Sequence, residues 1–148
     1  MPYLRITCPE QALEWKRRIA EPLTAEINEL FFNPRAPVTR EELRERTTIH
    51  FVSYRSGELF IGARTPDDRG TPDITIEVSD WSMSARQQRR IARELTRVVT
   101  EVFGLKNLSL DNINVRFHPY PPKDFAVGGV LLSDRISLIG RIMKKLFG

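Results

Sequence analysis

Two successive runs of strand, helix and strand, each followed by a glycine-ended hairpin, predict an α+β fold: tandem β-α-β units forming one four-stranded sheet with two helices on one face. Periodicity supports this reading. Short segments that alternate apolar and polar residues flank long segments whose apolar residues recur every three or four positions. Size supports it too. With 148 residues, 41% of them hydrophobic, the chain can bury one core. Residues 1–148 are therefore expected to be a single domain of two pseudo-repeats, about 2–62 and 73–129, with a helical tail over 134–148.

In the first repeat Leu4 and Ile6 alternate with Tyr3, Arg5 and Thr7, which predicts a strand over residues 3–7. A helix is expected over residues 10–32, its buried stripe being Trp15, Ile19, Leu23, Ile27, Leu30 and Phe31. Pro22 should kink or interrupt it, and Asn33 with Pro34 should end it. Thr39 and Glu42 have the spacing of a capping box for a short helix over 40–46. Residues 48–54 read as a second strand, which the turn at Ser56 and Gly57 returns as a short strand over 58–62. A polar linker, residues 64–72, follows.

The second repeat opens with the alternation of Ile74, Ile76 and Val78 against Asp73, Thr75 and Glu77. Ser84 is placed to cap a helix reaching about Phe103, with Ile91, Leu95, Val98, Val102 and Phe103 as its stripe and Gly104 as its stop. Residues 113–118 alternate as another strand, and Phe125 to Gly129 echo Leu59 to Gly62. Strand, helix, strand implies a parallel pair joined by a right-handed crossover in each half. The helix-free face then carries Arg5, Thr75, Glu77, Asn114 and Arg116. A face so regular and so polar is expected to be covered by another subunit.

Composition narrows the function. The 23 basic and 19 acidic residues give a net charge of +4 and are mixed along the chain, which does not predict a nucleic-acid-binding protein. No stretch is apolar enough to span a bilayer, and the first residues lack a secretory pattern. One cysteine, Cys8, fits a reducing compartment, so a cytoplasmic location is expected. There is no Cys/His cluster for a metal and no nucleotide fingerprint, so no cofactor is expected. Over 134–148, Ile136, Ile139, Ile142, Met143, Leu146 and Phe147 recur at helical spacing among Arg135, Arg141, Lys144 and Lys145. Such a helix can dock on a neighbouring subunit or lie on an anionic surface; with an oligomer expected, docking is the reading taken, and no membrane partner is expected.

The candidate chemistry starts at Pro2. Removing Met1 exposes a secondary amine, and an amine that is neutral near pH 7 is a general base; otherwise Pro2 merely begins a strand. Arg116 either holds a substrate carboxylate through its guanidinium or pairs with Glu77 across the sheet. His50 and Tyr54 share a strand face and are candidate substrate contacts. Trp81 and Phe125 can wall an apolar pocket or join the core. Asp124 can activate water, and it ends the stiff loop Tyr120, Pro121, Pro122, Lys123, Asp124.

Pro2 behind Met1, the duplicated unit and the Phe125-x-x-Gly128-Gly129 hairpin together resemble the tautomerase superfamily over about residues 2–130. In size the chain is similar to the fused members, such as malonate semialdehyde decarboxylase and cis-3-chloroacrylic acid dehalogenase. Arg55-Ser56-Gly57-Glu58-Leu59 resembles the matching hairpin of the decarboxylase. The resemblance implies the tautomerase-like fold, a homotrimer, no cofactor, and an N-terminal proline acting as general acid or base on a small keto, enol or unsaturated carboxylic acid. Hydratase, dehalogenase or decarboxylase chemistry, or a non-catalytic trimer, are the alternatives. The pattern departs where an arginine or an arginine pair is expected. Residues 8–12 and 80–83 contain none. By register the decarboxylase's acidic residue falls on Arg46, with Glu45 beside it. The dehalogenase's tyrosine falls on Arg116, and its hairpin glutamate lands near Asp124 or Ala126. The amine of Pro2 is expected to be pushed toward its neutral form by Arg116 and by an apolar surround including Phe125.

Overall fold

The computed structural model describes residues 1–36, 38–105 and 109–136. Strand β1 (Tyr3–Pro9) leads into helix α1 (Leu13–Phe31), a short helix α2 (Arg40–Glu45) and strand β2 (Thr48–Tyr54). After the four-residue helix α3 (Pro66–Arg69) come β3 (Ile74–Trp81), α4 (Ala85–Val102) and β4 (Ile113–Tyr120). A small hairpin, β5 (Ala126–Val127) with β6 (Val130–Leu131), and a last turn of helix, α5 (Leu132–Arg135), complete the described chain. The tail helix expected over 134–148 lies almost wholly outside the described residues.

The sheet order is β2-β1-β3-β4. Each repeat contributes a parallel pair, and the two repeats meet where β1 and β3 run antiparallel with Ile6 opposite Ile76. Parity then sorts the side chains. Leu4, Ile6 and Cys8 on β1, and Ile74, Ile76 and Val78 on β3, are fully buried. Ile19, Leu23, Ile27 and Leu30 of α1, with Ile91, Leu95, Val98 and Val99 of α4, complete the same cluster. The stripes expected from helical spacing are thus the buried ones, with Trp15, Phe31, Val102 and Phe103 half-buried at the margin.

Local chemistry sets the ends of the elements. Thr39 accepts from the Glu42 N–H while the Glu42 carboxylate accepts from the Thr39 N–H, so both donors at the start of α2 are satisfied. Gly104 takes φ +69 just after α4, a conformation that costs glycine little. Helix α1 runs through Pro22 instead of ending there. Pro22 is exposed, as is Arg18, whose carbonyl loses its helical donor and can take one from water.

Three expectations are corrected. Residues 58–62 form no strand, since only an isolated bridge joins Ile61 to Arg64. The segment closes on itself: the Glu58 carboxylate accepts from the Arg55 N–H, and the Glu58 N–H donates to the Arg55 carbonyl. Phe60 stays 60% exposed, so its alternation finds no core to bury against. The linker 64–72 contains α3, built on a second capping box between Thr65 and Asp68. Both sheet strands of the second repeat also run beyond their expected ends, to Trp81 and Tyr120. No helix among the described residues is long and apolar enough to cross a membrane.

Packing makes a direct test. Leu23 is fully buried and Leu13 is 56% exposed. Leu23→Ala is expected to lower unfolding free energy by about 2–5 kcal/mol, and Leu13→Ala by less than about 0.5 kcal/mol, in urea titrations.

Candidate active site

The register that pairs Tyr3 with Ser79 sets Pro2 level with Asp80, at the start of β1 and the end of β3. Pro2 is fully buried. Its carbonyl accepts from the Thr48 N–H at 3.1 Å, which ties the N-terminus to β2. The α-ammonium of Met1 donates to Oδ1 of Asp80 at 2.7 Å. Asp80 follows Ile74, Ile76 and Val78 on the core-facing parity, and its side chain is only 2% exposed. A carboxylate on that face needs a partner, and the chain's own amine supplies one.

Tyr120 stands opposite Trp81 at the end of β4. Burial raises its phenol above the ordinary value, and the charge of Asp80 pushes the same way. Its ring lies against Phe125, centroids 5.3 Å apart. The amine, Asp80, Trp81, Tyr120 and Phe125 therefore belong to one end of the sheet. Gln87, in the first turn of α4, is buried with its side-chain oxygen unpartnered among the described residues.

The other residues singled out by sequence do not gather there. Arg116 is exposed on the helix-free face, opposite Glu77 and three positions along β3 from Asp80. Glu77 is engaged instead by Arg5 and by His118, each at 3.4 Å. The charge of Arg116 is felt by Asp73, where it opposes the upward push of burial. Within the single chain the ionised group in contact with the N-terminal amine is a carboxylate, not Arg116. His50 lies opposite Arg5, its Nδ1 2.8 Å from the Tyr3 hydroxyl.

Tyr54 lies at the far end of β1, about 20 Å from Pro2 at the usual rise of a strand. Its hydroxyl donates to the Asp73 carbonyl and accepts from the Asp73 N–H, fastening β2 to the start of β3. Asp124 is exposed in the 3-10 turn Pro122–Asp124, directly before Phe125. Cys8 is buried, and its thiol is pushed up to about 11 by that burial, against the opposing charge of Lys16. Two surface clefts lie elsewhere. One of 640 Å³ lies among α1, α2 and α4, and one of 560 Å³ adjoins Pro9, Tyr54 and Pro72.

Asp80 and Tyr120 are the candidate site residues that sequence reasoning missed. The signal for Asp80 was parity: continuing the alternation past Val78 makes residue 80 the next inward position. In an ultraviolet titration the Tyr120 phenol is expected to ionise above the ordinary value of about 10. Asp80→Asn should lower that midpoint without restoring it to the ordinary value, because burial is the larger cause.

No protein-family model and no curated protein matches the chain. Among solved structures, a native fused 4-OT is 17% identical, with a TM-score of 0.72 over 89% of this chain and 97% of that one. Pt0534 inactivated by 2-oxo-3-pentynoate is 15% identical, with a TM-score of 0.71 over 90% of this chain and 98% of that one. A macrophage migration inhibitory factor homologue from Prochlorococcus marinus is 11% identical, with a TM-score of 0.64 over 88% of this chain and 98% of that one. The chain has a tautomerase-like fold, a mixed four-stranded sheet carrying two main helices as in the fused 4-OT structures.

Proposed function

We propose that this chain is a cofactor-independent enzyme that moves protons with its N-terminal amine on a small keto, enol or unsaturated carboxylic acid, Pro2 being that amine once Met1 is removed. The observation that carries the reading is the α-ammonium lying 2.7 Å from a buried carboxylate, within a tautomerase-like fold. Pro2 is buried in the chain that begins with Met1, so losing Met1 is what would free its nitrogen beside Asp80. An amide nitrogen takes no proton near neutral pH, whereas a ring amine does, and the ring fixes its direction.

The assembly we propose is a homotrimer. Tyr3, Arg5, Thr75, Glu77, Asn114 and Arg116 are all on the helix-free face, and the similar fused 4-OT structures include asymmetric trimers. Arg116 and His50 would serve a carboxylate only where this face meets another copy's amine. The non-catalytic alternative draws on the lack of arginine at residues 8–12 and 80–83.

Light scattering should give close to three times the 17.1 kDa chain mass, and a monomer at micromolar concentration would refute the trimer. The mature protein should lack Met1 by intact mass and turn over the enol of phenylpyruvate or 2-hydroxymuconate. Pro2→Ala should cut that rate by roughly ten- to ten-thousand-fold, the range expected of a positioned acid or base. A protein that keeps Met1, or a Pro2→Ala rate equal to wild type, would leave the non-catalytic reading standing.

A further inference from the structure

We infer that Asp80 holds the N-terminal amine in its protonated form, so that the site opens its chemistry by giving a proton to the substrate. The inference rests on the proposed function for its catalytic meaning and on the geometry for everything else. Two effects compete at the amine. Withdrawal from water favours the neutral form, and a carboxylate in contact favours the charged form. The contact is short, 2.7 Å, and Asp80 is 2% exposed, whereas the residue carrying the amine is 33% exposed. Water is thus excluded from the anion far more than from the cation. A neutral amine would leave the buried anion without this partner, so the pair favours the ion.

Within one chain the other ionisable groups near this end of the molecule do not reverse that balance, and in the proposed trimer the charge of another copy's Arg116 would be taken up by the substrate carboxylate. Tyr120 is half-buried and its phenol is raised, so near neutral pH it carries no charge. Glu45 and Arg46 before β2, Arg86 in the first turn of α4, His118 on β4, and Lys123 and Asp124 in the 3-10 turn are exposed, where water and salt screen them. None of these is buried as Asp80 is.

Removal of Met1 passes the role to Pro2, whose nitrogen is one residue further along, about 3 Å from the Met1 nitrogen. A prolyl ammonium has two N–H bonds, so one can stay on Asp80 while the other faces the substrate. With an enol acid, the carbon–carbon π pair takes the proton from nitrogen and forms the C–H bond. The enol O–H pair becomes the carbonyl, and the proton released from oxygen returns to the nitrogen. Protons and electrons balance with no further reactant. The favoured substrates are enol or unsaturated acids that are protonated at carbon first. Turnover of an enol should then hold steady at low pH and fall as pH rises through the amine's midpoint.

The test is the pH dependence of N-terminal labelling by 2-oxo-3-pentynoate, read on the N-terminal peptide by mass spectrometry, since only the neutral amine attacks the alkyne. The wild-type midpoint is expected above that of a free peptide of the same first residues, whose ordinary value is about 8. Asp80→Asn should lower the midpoint by about one pH unit, making labelling at pH 7 roughly tenfold faster. A wild-type midpoint at or below the peptide's, or an unchanged rate in a folded Asp80→Asn protein, overturns the inference. If Asp80→Asn does not fold, the comparison of wild type with peptide decides alone. A raised midpoint in a protein without turnover would sink the proposed function and leave the role of Asp80 intact. Turnover with an amine that is not raised would do the reverse.

Discussion

The antiparallel contact between β1 and β3 is the constraint on which the rest depends. Ile6 and Ile76 face each other at its centre, both fully buried, and every other register follows from that pair. It sets Pro2 level with Asp80 at one end, and it sets Pro9 level with Asp73 at the other, where Tyr54 bridges the gap. A slip of one residue would turn the inward set outward, placing Asp80 on the polar face and Ile74, Ile76 and Val78 in water. Burying those side chains is what holds the amine and the carboxylate in line.

The fold was legible because its signals are periodic and its core is deep. Strand 48–54 was read to the residue, and the Thr39 to Glu42 cap was read from spacing alone. What was not legible depended on where alternation stops. Ser79, Asp80, Trp81 and Ser82 look like a loop by composition, yet β3 continues through Trp81 because β4 pairs with it as far as Tyr120. Asp80, a polar residue in an inward position, then lies within the strand and against the amine and does not mark a strand end. The opposite error occurred at 58–62, where an apolar run with no opposing surface stayed a turn.

The helix-free face shows a similar limit. Parity correctly assembled Arg5, Thr75, Glu77, Asn114 and Arg116 on it, but parity says nothing of which charges meet. Cross-strand register sets Arg116 beside Glu77, while the carboxylate turns to Arg5 and His118. Such contacts are exposed in the single chain, where each is worth little. Covering the face would lower the local dielectric and make the same charges decisive.

The site's electrostatics give the absent arginines a different meaning. The resemblance leads one to expect cations where residues 80–83 read Asp, Trp, Ser and Met. Cations beside an amine repel its proton and favour a base, while an anion in contact holds that proton. A carboxylate at residue 80 therefore reverses the sign of the field at the same nitrogen, instead of merely weakening it. The scaffold still delivers an amine to the end of the sheet where Trp81 and Tyr120 stand opposite each other, and on the inference above the proton begins on the protein. On that inference, a carboxylate where the resemblance leads one to expect cations favours giving a proton over taking one.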